Sequence, residues 1–481
     1  MEEKYMKSKK IIMITMCCLI CIMAIGYAAF ATNLTINGTA NITSTWKVLF
    51  TKIEEVSKTS GVTITKVPTA EGTNATFNVD LKSPGDKIVY KITVANQGTL
   101  DAIISDITAS ETGSDAIKFE ITGIKKGDKL AKAKTSTFNV TISYDSNVTT
   151  QPKTTNNTLT ININYVQDLG QAIEGSDVVI EKPILLANQI LKDNTTQPDT
   201  NIDFSQIRSD TNGKGLYYTS TNTEDNKVTY YFRGAIDNNY VSFAGFTWRI
   251  VRINEDGSVR LIKQDSIGDR AFNYNRNDAA YVGYMYGTPG SATYEATHRN
   301  TNSSAIKTVL DTWYQNNLAS YSSLIADSGF CGDRSLVSGT GIGKTNTNYG
   351  ADNRINTNKT PQFKCPQTND LYTTATSAKG NKALTYPIGL ITADEVAYAG
   401  EVIYKQNTEY YLYTGSWYWT MSPFSSGSNA NVWSVNTIGR LYSFYVYEEG
   451  GVRPAINLKS TAEIIDGGNG TLNNPYVIKV N

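Results

Sequence analysis

The residues best suited to binding a ligand lie near the end of the chain, where aromatic side chains are dense between residues 410 and 447. Exposed tyrosine and tryptophan offer a large, stiff contact area with a polar tip, which suits recognition of a sugar or a protein. The candidate ligand-binding residues are Trp433, Tyr442, Tyr445, Tyr447 and Arg453. In the alternative interpretation, alternate aromatic residues belong to the core and Arg453 is a structural ion-pair partner.

Residues that could carry catalysis are scarce. The chain has one histidine, His298, and five cysteines, of which three lie in the first apolar run. Histidine is the commonest general base, and a zinc site of Cys/His type needs more ligands than the rest of the chain supplies. His298 lies in a polar stretch, so we expect a solvated loop residue. The sequence therefore predicts no catalytic residue, no metal site, no cofactor and a protein that is not an enzyme.

Carboxylate chemistry is the one catalytic alternative that stays open. A glycosidase needs two acids that face each other across the substrate, and Asp394 and Glu395 are adjacent acids. They follow Thr392 at the spacing of a capping box, where acids interact favourably with the helix dipole. We therefore favour helix capping, and a carboxylate-dependent hydrolase is the least favoured functional alternative.

The balance of charges excludes one class of partner. Among 481 residues, 44 lysines and arginines equal 44 aspartates and glutamates, so the net charge is zero. Nucleic-acid-binding proteins normally show a basic excess, so no nucleic-acid partner is expected. Asparagine, threonine and serine carry much of the polarity, and tyrosine is common at 30 residues. This composition is typical of β-rich extracellular proteins.

Residues 1–31 have the features of an export signal. Four lysines lie within residues 1–10, an uncharged run extends from Ile11 to Ala31, and the run ends in the small-x-small pattern Ala29-Phe30-Ala31. The run is also long enough to span a bilayer, so a cleaved signal peptide and an uncleaved N-terminal membrane anchor both remain open. Both place the rest of the chain outside the cytoplasm, either extracellular or at the cell surface.

Only two cysteines, Cys331 and Cys365, lie beyond this leader. Outside the cytoplasm, two thiols in one domain usually pair, so a Cys331–Cys365 disulfide is predicted. It would add about 3–4 kcal/mol of stability in the chain-entropy model. Two buried free thiols are the alternative.

Residues 32–167 show the period-two alternation of β-strands. No long amphipathic helix is indicated, and turn signals such as Ser83-Pro-Gly-Asp86 separate the alternating segments. These segments are residues 76–82, 87–94, 138–144 and 159–165. Short strands at this spacing predict an antiparallel β-sandwich.

Two stretches of this region, residues 27–41 and 83–101, resemble exported Gram-positive surface proteins of the camelysin and biofilm-matrix-fibre type. The resemblance implies a jelly-roll-like sandwich. Camelysin is associated with metalloprotease activity, but this segment contains no histidine, so no peptidase chemistry is carried over. A spacer sandwich is the preferred interpretation. The alternative is a fibre-forming unit, which would need an edge strand free to pair with a neighbour.

Residues 168–210 lose the alternation and are predicted to be a linker with a short helix from Pro183 to Lys192. From residue 211 to residue 481 the elements follow an α+β order. It opens with strands, including a hairpin whose tight turn is Asp256-Gly257.

Two helices are predicted inside this second domain. One is capped by Ser304 and carries apolar residues at helical spacing. The other begins at the capping box of Thr392 and ends at Gly400. A long loop region with both cysteines separates the two helices, and short strands follow the second helix.

The order of elements in residues 211–481 resembles the C-type-lectin-like fold. Three stretches, residues 330–334, 386–395 and 418–458, are similar to an uncharacterised domain family of Gram-positive surface proteins. The calcium motif of sugar-binding C-type lectins is absent. The reactive cysteine pair of the related formylglycine-generating enzymes does not occur near the end of the chain. Neither calcium-dependent sugar binding nor that oxidase chemistry is therefore carried over.

These observations predict an all-β sandwich followed by an α+β C-type-lectin-like domain. The expected function is that of a secreted or membrane-tethered bacterial surface protein, which presents a ligand-binding module on a sandwich stalk. Its partner would be an extracellular glycan or protein, and the N-terminal segment would contact the membrane if it is not cleaved. A structural matrix or fibre component is the alternative.

Overall fold

Two compact units make up the described part of the chain. The computed structural model describes residues 44–152, 155–208, 214–465 and 467–480, and the units divide between Lys182 and Pro183. Both units are rich in β-sheet, which confirms the predicted β-rich, multidomain architecture. The predicted leader lies outside the described residues.

The first unit contains ten strands in its described part. They are β1 Val48–Lys58, β2 Val62–Glu71, β3 Asn74–Leu81, β4 Lys87–Asn96, β5 Ala102–Thr112, β6 Ile117–Thr122, β7 Lys129–Leu130, β8 Thr135–Tyr144, β9 Thr158–Gln167 and β10 Ile180–Glu181. One sheet has the order β1-β4-β8-β6, and in a second sheet β7, β9 and β10 all pair with β5. The strands β2 and β3 form a separate hairpin.

The alternation that predicts these strands also builds their core. In β4, Ile88, Tyr90 and Ile92 are buried on one face, because successive side chains of a strand point to opposite faces. They share a hydrophobic cluster with Val140 of β8 and with Ile104 of β5, which belongs to the second sheet. The two sheets therefore enclose one core. The finer jelly-roll-like arrangement remains a prediction.

The second unit mixes many short strands with a few helices. Its strands are β11 Ile184–Leu185, β12 Thr196–Pro198, β13 Gly215–Thr219, β14 Thr229–Arg233, β15 Tyr240–Phe243, β16 Phe246–Ile253, β17 Val259–Lys263, β18 Asp269–Ala271, β19 Met285–Tyr286, β20 Asn302–Ser303, β21 Phe330–Cys331, β22 Leu336–Ser338, β23 Thr347–Tyr349, β24 Leu371–Tyr372, β25 Tyr418–Ser426, β26 Asn431–Val435, β27 Leu441–Tyr445, β28 Glu449–Gly451, β29 Ala455–Leu458, β30 Glu463–Ile465 and β31 Tyr476–Ile478. Its α-helices are α1 Leu186–Asp193, α2 Tyr294–Thr297, α3 Ala305–Asn317, α4 Gly350–Asp352 and α5 Ala393–Tyr398.

Two larger sheets organise this unit. One runs in the order β11-β30-β31-β15-β16-β14-β13-β12, and β17 joins it between β16 and β29. The other runs β18-β28-β25-β23-β22, with β26 beside β25 and β27 beside β26. A single large hydrophobic cluster contains residues of both sheets and of α3 and α5. The lectin-like character of this arrangement remains a prediction.

Both predicted helices of the second domain are confirmed. The Ser304 side chain accepts a hydrogen bond from the Lys307 backbone N–H at 3.3 Å and begins α3. Thr392 begins α5 with a complete capping box. These local signals are decided by residues three or four positions apart, which is why the sequence alone identifies them.

The predicted hairpin is also present, with a slightly longer turn. Five residues separate β16 from β17, and the Asn254 N–H donates to the Ser258 carbonyl at 2.8 Å, so this pair encloses a turn of three residues. Gly257 has a φ of 80°, the left-handed conformation that such a loop requires near its end. The loop contains Glu255 and Asp256.

The two units divide inside the predicted linker, residues 168–210, and its predicted short helix is present as α1, but the rest of the segment is part of the two units. Its first part belongs to the first unit, where β10 pairs in parallel with β5. Its second part belongs to the second unit, where β11 pairs with β30 and α1 begins at Leu186 instead of Pro183. Along the described ranges, no helix is long and apolar enough to span a membrane.

Candidate functional site

A cavity of about 220 Å³ lies among the loops of the second unit. The β16–β17 hairpin loop, the first residues of α5 and the segments joined by the Cys331–Cys365 disulfide supply its walls. Most of the lining side chains are charged or polar. We refer to this space as the polar cavity.

Glu395 is fixed in the wall of the polar cavity by two arginines. Its Oε1 accepts a hydrogen bond from Arg252 Nε at 3.0 Å and lies 3.2 Å from Arg260 Nη1. Its Oε2 accepts the Thr392 N–H at 2.8 Å, and Thr392 Oγ1 accepts the Glu395 N–H at 3.0 Å. Burial opposes ionisation of Glu395, but the charges of Arg260 and Arg252 outweigh it and lower the pKa of this carboxyl. Glu395 is therefore held as a carboxylate.

Arg354 fixes two more acids of the same wall. Its Nε and Nη2 each donate to a different oxygen of Asp394 at 2.8 Å, which is a bidentate pair. Its Nη1 donates to Asp333 Oδ2 at 2.6 Å. Asp394 and Glu395 are thus both engaged by arginines at a helix N-terminus, and this geometry supports helix capping over hydrolysis for these two residues.

The predicted disulfide is present and shapes the cavity. The Cα atoms of Cys331 and Cys365 are 5.5 Å apart. The Cys365 backbone N–H donates to Glu224 Oε2 at 2.8 Å, so the bridge also positions that carboxyl.

Phe363, two residues before the bridge, is a buried aromatic residue of the cavity wall. Its ring stacks on Tyr398 of α5 with centroids 3.9 Å apart. The Arg252 guanidinium lies 4.8 Å from the centroid of the same ring, in cation–π geometry. The loop that ends at the disulfide is therefore packed on both sides.

A second group of acids lies on the hairpin side of the cavity. Glu255 Oε1 accepts the Glu224 N–H at 2.8 Å. Burial raises the pKa of Glu224 above its usual value; the hydrogen bond from the Cys365 N–H opposes this shift, and the charge of Glu255 adds to it. Asp256 accepts hydrogen bonds from the Ser258 backbone N–H at 2.9 Å and from the Ser328 hydroxyl at 3.0 Å.

Two of the predicted ligand-binding residues are wrong because they are buried. Trp433 is 0% exposed in β26, and its ring packs edge-on against Phe424 at 4.6 Å. Arg453 is 2% exposed. Its Nε and Nη1 donate to the carbonyls of Lys263 and Leu412 at 2.9 and 3.0 Å, so its partners are backbone oxygens and not the carboxylate of an ion pair.

The other three candidates, Tyr442, Tyr445 and Tyr447, are each more than a third exposed. Tyr442 and Tyr445 are three positions apart in β27, so they point to opposite faces of the strand. Tyr445 stacks on Tyr447 at 5.7 Å, and the Arg276 guanidinium lies 4.2 Å from the Tyr447 centroid. Tyr442 instead contacts Tyr404 at 5.9 Å. The three tyrosines therefore form two separate groups, and their contact with a ligand remains a prediction.

The expectation for His298 is wrong as well. The residue ends α2 and is 1% exposed, with its Nε2 2.8 Å from the Gly341 carbonyl oxygen. Burial, and next the charge of Arg334, lower the pKa of His298 to about 3. The polar sequence around it is typical of a loop, but the packing of residue 341 over the ring could not be read from that sequence.

Sequence reasoning did not single out the residues that build the polar cavity. Arg252, Arg260, Arg354 and Glu224 come from segments distant in sequence, and no spacing rule joins them. The sequence does indicate the capping box and the Asp256-Gly257 turn, and it offers Asp394 and Glu395 as a carboxylate pair, but it does not connect these residues with a cavity. Across the ranges that the structure describes, no three His, Cys, Asp or Glu side chains are arranged to hold a metal ion.

Comparison with known proteins finds one family model that is similar to part of the second unit. Residues 357–460 match the family described as Domain of unknown function (DUF6273). The matched range contains Cys365, Phe363, α5 and the exposed tyrosines of β27. No curated protein and no solved structure matches the chain.

Proposed function

We propose that this chain is an exported bacterial surface protein whose second unit binds an extracellular glycan in the polar cavity. The observation that carries the proposal is the cavity itself, whose walls are fixed by ion pairs, a capping box and a disulfide. A site whose side chains are already ordered loses little conformational entropy when a ligand binds.

The chemistry of the walls favours a sugar. Carboxylates can accept hydrogen bonds from sugar hydroxyls, the hydroxyl side chains of the lining can accept and donate them, and Phe363 and Leu371 add apolar atoms to the wall. Small-molecule sites commonly combine a few placed polar groups with aromatic surface. The volume is below the ~300–1,000 Å³ usual for drug-sized ligands, so the cavity would hold one ring-sized group, such as a terminal sugar residue.

Two further features support an exported protein. The leader in residues 1–31 carries lysines ahead of an apolar run, and disulfides persist mainly outside the cytoplasm. In this proposal the first unit is a spacer and the lectin-like resemblance describes the binding role of the second unit. The N-terminal segment would hold the protein at the membrane if it is not cleaved.

A glycan array with the purified full chain tests the proposal. Ala378 is exposed and lines the cavity, so Ala378→Trp should block it without disturbing the core. Ala375 is an exposed alanine of the same loop outside the lining, and Ala375→Trp is the matched control. We expect binding that A378W abolishes and A375W retains. Absence of any glycan binding, or equal binding by both variants, would contradict the proposal.

A structural role is the second candidate, and one observation favours it. The ten-residue strand β9 pairs with β5, and within the described residues no further strand pairs with it. An edge of this length presents free N–H and C=O groups to a neighbouring copy. Electron microscopy of the full chain at rising concentration would show fibres if β9 joins copies, and a monodisperse protein at the highest concentration would contradict this role.

A further inference from the structure

We infer that the polar cavity selects a ligand that carries a primary ammonium group, in the form of a sugar residue with a free amine. This inference rests on the proposed glycan-binding function and names the substrate class within it. It follows from which charges around the cavity are paired and which are not.

The lining has an excess of negative charge. Eight acidic side chains and five basic side chains surround the cavity, so its formal charge is negative when all of them are ionised. A cavity whose lining carries net charge of one sign attracts ligands of the opposite charge.

The three arginines of the lining are already engaged. Arg252 and Arg260 contact Glu395, and Arg354 contacts Asp333 and Asp394. Arg260 also donates from Nε to Asn457 Oδ1 and from Nη2 to the Gly329 carbonyl. The charges of the three arginines are therefore balanced by carboxylates of the wall, and Lys379 is paired with Asp225, so that among the described residues Lys364, which is exposed, is the one lining cation without an ion pair. A carboxylate or phosphate ligand would therefore meet more unpaired acids than unpaired cations.

Four lining acids are held in a different way. Glu224, Glu255, Asp256 and Asp327 form no ion pair with any basic side chain of the described residues, and neutral N–H and O–H groups hold them. Asp327, for example, accepts both the Thr374 hydroxyl at 2.7 Å and the Thr374 N–H at 3.0 Å. Glu224, Glu255 and Asp327 are half-buried, whereas Asp256 is exposed. A half-buried carboxylate without an ion-pair partner is costly, and a cationic ligand would supply the opposite charge.

An independent observation comes from an amide among these acids. Asn254 lines the cavity and is 5% exposed. Its Nδ2 donates to Ser258 Oγ at 2.8 Å and to Asn457 Oδ1 at 3.0 Å, which fixes the amide orientation. Its Oδ1 has no hydrogen-bond partner among the described residues. This buried acceptor lacks a donor, as the neighbouring acids lack a cation.

The ligand that satisfies both features has several donors and a positive charge. An alkylammonium group has three N–H donors and no acceptor, whereas an N-acetyl group carries no charge and adds an acceptor of its own. A hexosamine with a free amine therefore fits the cavity better than its acetylated or neutral counterpart.

Calorimetric titration of the full chain tests this selectivity. The probes are glucosamine oligomers, N-acetylglucosamine oligomers of the same length, and neutral glucose oligomers. We expect the free-amine oligomer to bind about tenfold more tightly or better, which corresponds to one charge-assisted hydrogen bond. Glu224→Gln, which keeps an oxygen that can accept the Cys365 N–H, should remove most of this preference.

Controls separate this inference from the proposed function. Glu409→Gln changes an exposed acid outside the cavity lining and should leave the preference intact. Equal affinity for the three oligomers, lost in A378W, would overturn the ammonium inference and leave glycan binding standing. Failure of every oligomer to bind would count against the proposed function itself.

Two further outcomes would also overturn the inference. One is a preference for the amine that persists in A378W, because this would be adsorption to the surface. The other is tighter binding of lysine-containing peptides than of glucosamine oligomers, because the ammonium group would then come from protein and not from sugar.

Discussion

Glu401 shows how burial at a single residue sets a property of the whole protein. The side chain is 1% exposed, and its Oε1 accepts the Leu441 N–H at 3.4 Å. Its Oε2 has no hydrogen-bond partner in the described part of the chain. Burial raises the pKa of Glu401 to about 9, so the folded protein keeps this group as a neutral acid at physiological pH.

We predict that Glu401→Gln flattens the dependence of stability on pH. Between pH 4.5, the usual pKa of the group, and about 9, the folded state binds a proton that the unfolded chain has released. The free energy of unfolding therefore falls as pH rises, by about 1.4 kcal/mol per pH unit for this group. Glutamine resembles the neutral acid and does not titrate. Urea unfolding at about pH 5 and about pH 8 should show the variant gaining stability over the native protein as pH rises, and a constant difference would contradict the pKa shift.

The error at Trp433 has a physical reason at this scale. In β26 four of five residues are buried, because the strand is covered on both faces. Alternation of apolar and polar residues distinguishes the inner face of a strand from the outer face only when one face is exposed to solvent. Tyr442 and Tyr445 lie on the neighbouring strand β27, whose exposure is higher, and no rule in the sequence separates these two strands.

At the scale of elements, the capping box of α5 links local structure to the cavity. We predict that Thr392→Ala lowers stability by about 1 kcal/mol, the usual cost of losing an N-cap side chain. The two arginines still hold Glu395, so the loss should not be larger. Chemical denaturation measures it, with the exposed Thr408→Ala as the control that should have no effect. A change below the error of the measurement would contradict a capping role.

The Cys331–Cys365 disulfide also makes a measurable contribution to the stability of the second unit. The double variant C331S/C365S should lose about 3–4 kcal/mol, since the bridge closes a separation of 34 residues and its removal frees the unfolded chain. Glycan affinity should fall at the same time, because the bridge positions Glu224 and the loop of Phe363. Reduction of the native protein should reproduce both effects. Unchanged denaturation midpoints would contradict this account.

Local elements could be predicted from the sequence, and non-local ones could not. The helices after Ser304 and Thr392, the alternating strands of the first unit and the hairpin at Asp256-Gly257 all depend on short-range patterns. The two-residue strands β10 and β11 depend on partners far along the chain, so their segment looked like a linker. The polar cavity joins six or more distant segments in the same way, and only the fold reveals it.

At the scale of the whole molecule, export is the prediction on which the biological setting depends. Cell fractionation should find the protein outside the cytoplasm, and unreduced mass spectrometry should find Cys331 and Cys365 linked. Surface proteolysis of intact cells provides the control, because a cytoplasmic marker should survive the treatment that removes this protein. Recovery of the chain in the cytosol with Cys331 and Cys365 both alkylatable would contradict both the location and the bridge.

The solitary imidazole of His298 gives the protein a built-in spectroscopic reporter. With one histidine in the chain, labelling that residue type alone should yield a single set of ring resonances. Because the pKa of His298 is about 3 in the folded state, we expect these resonances to stay constant from about pH 8 to about pH 5. Unfolded chains should instead titrate near the ordinary value of ~6.5. Magnetic resonance could therefore follow the folded fraction of the second unit without any engineered probe.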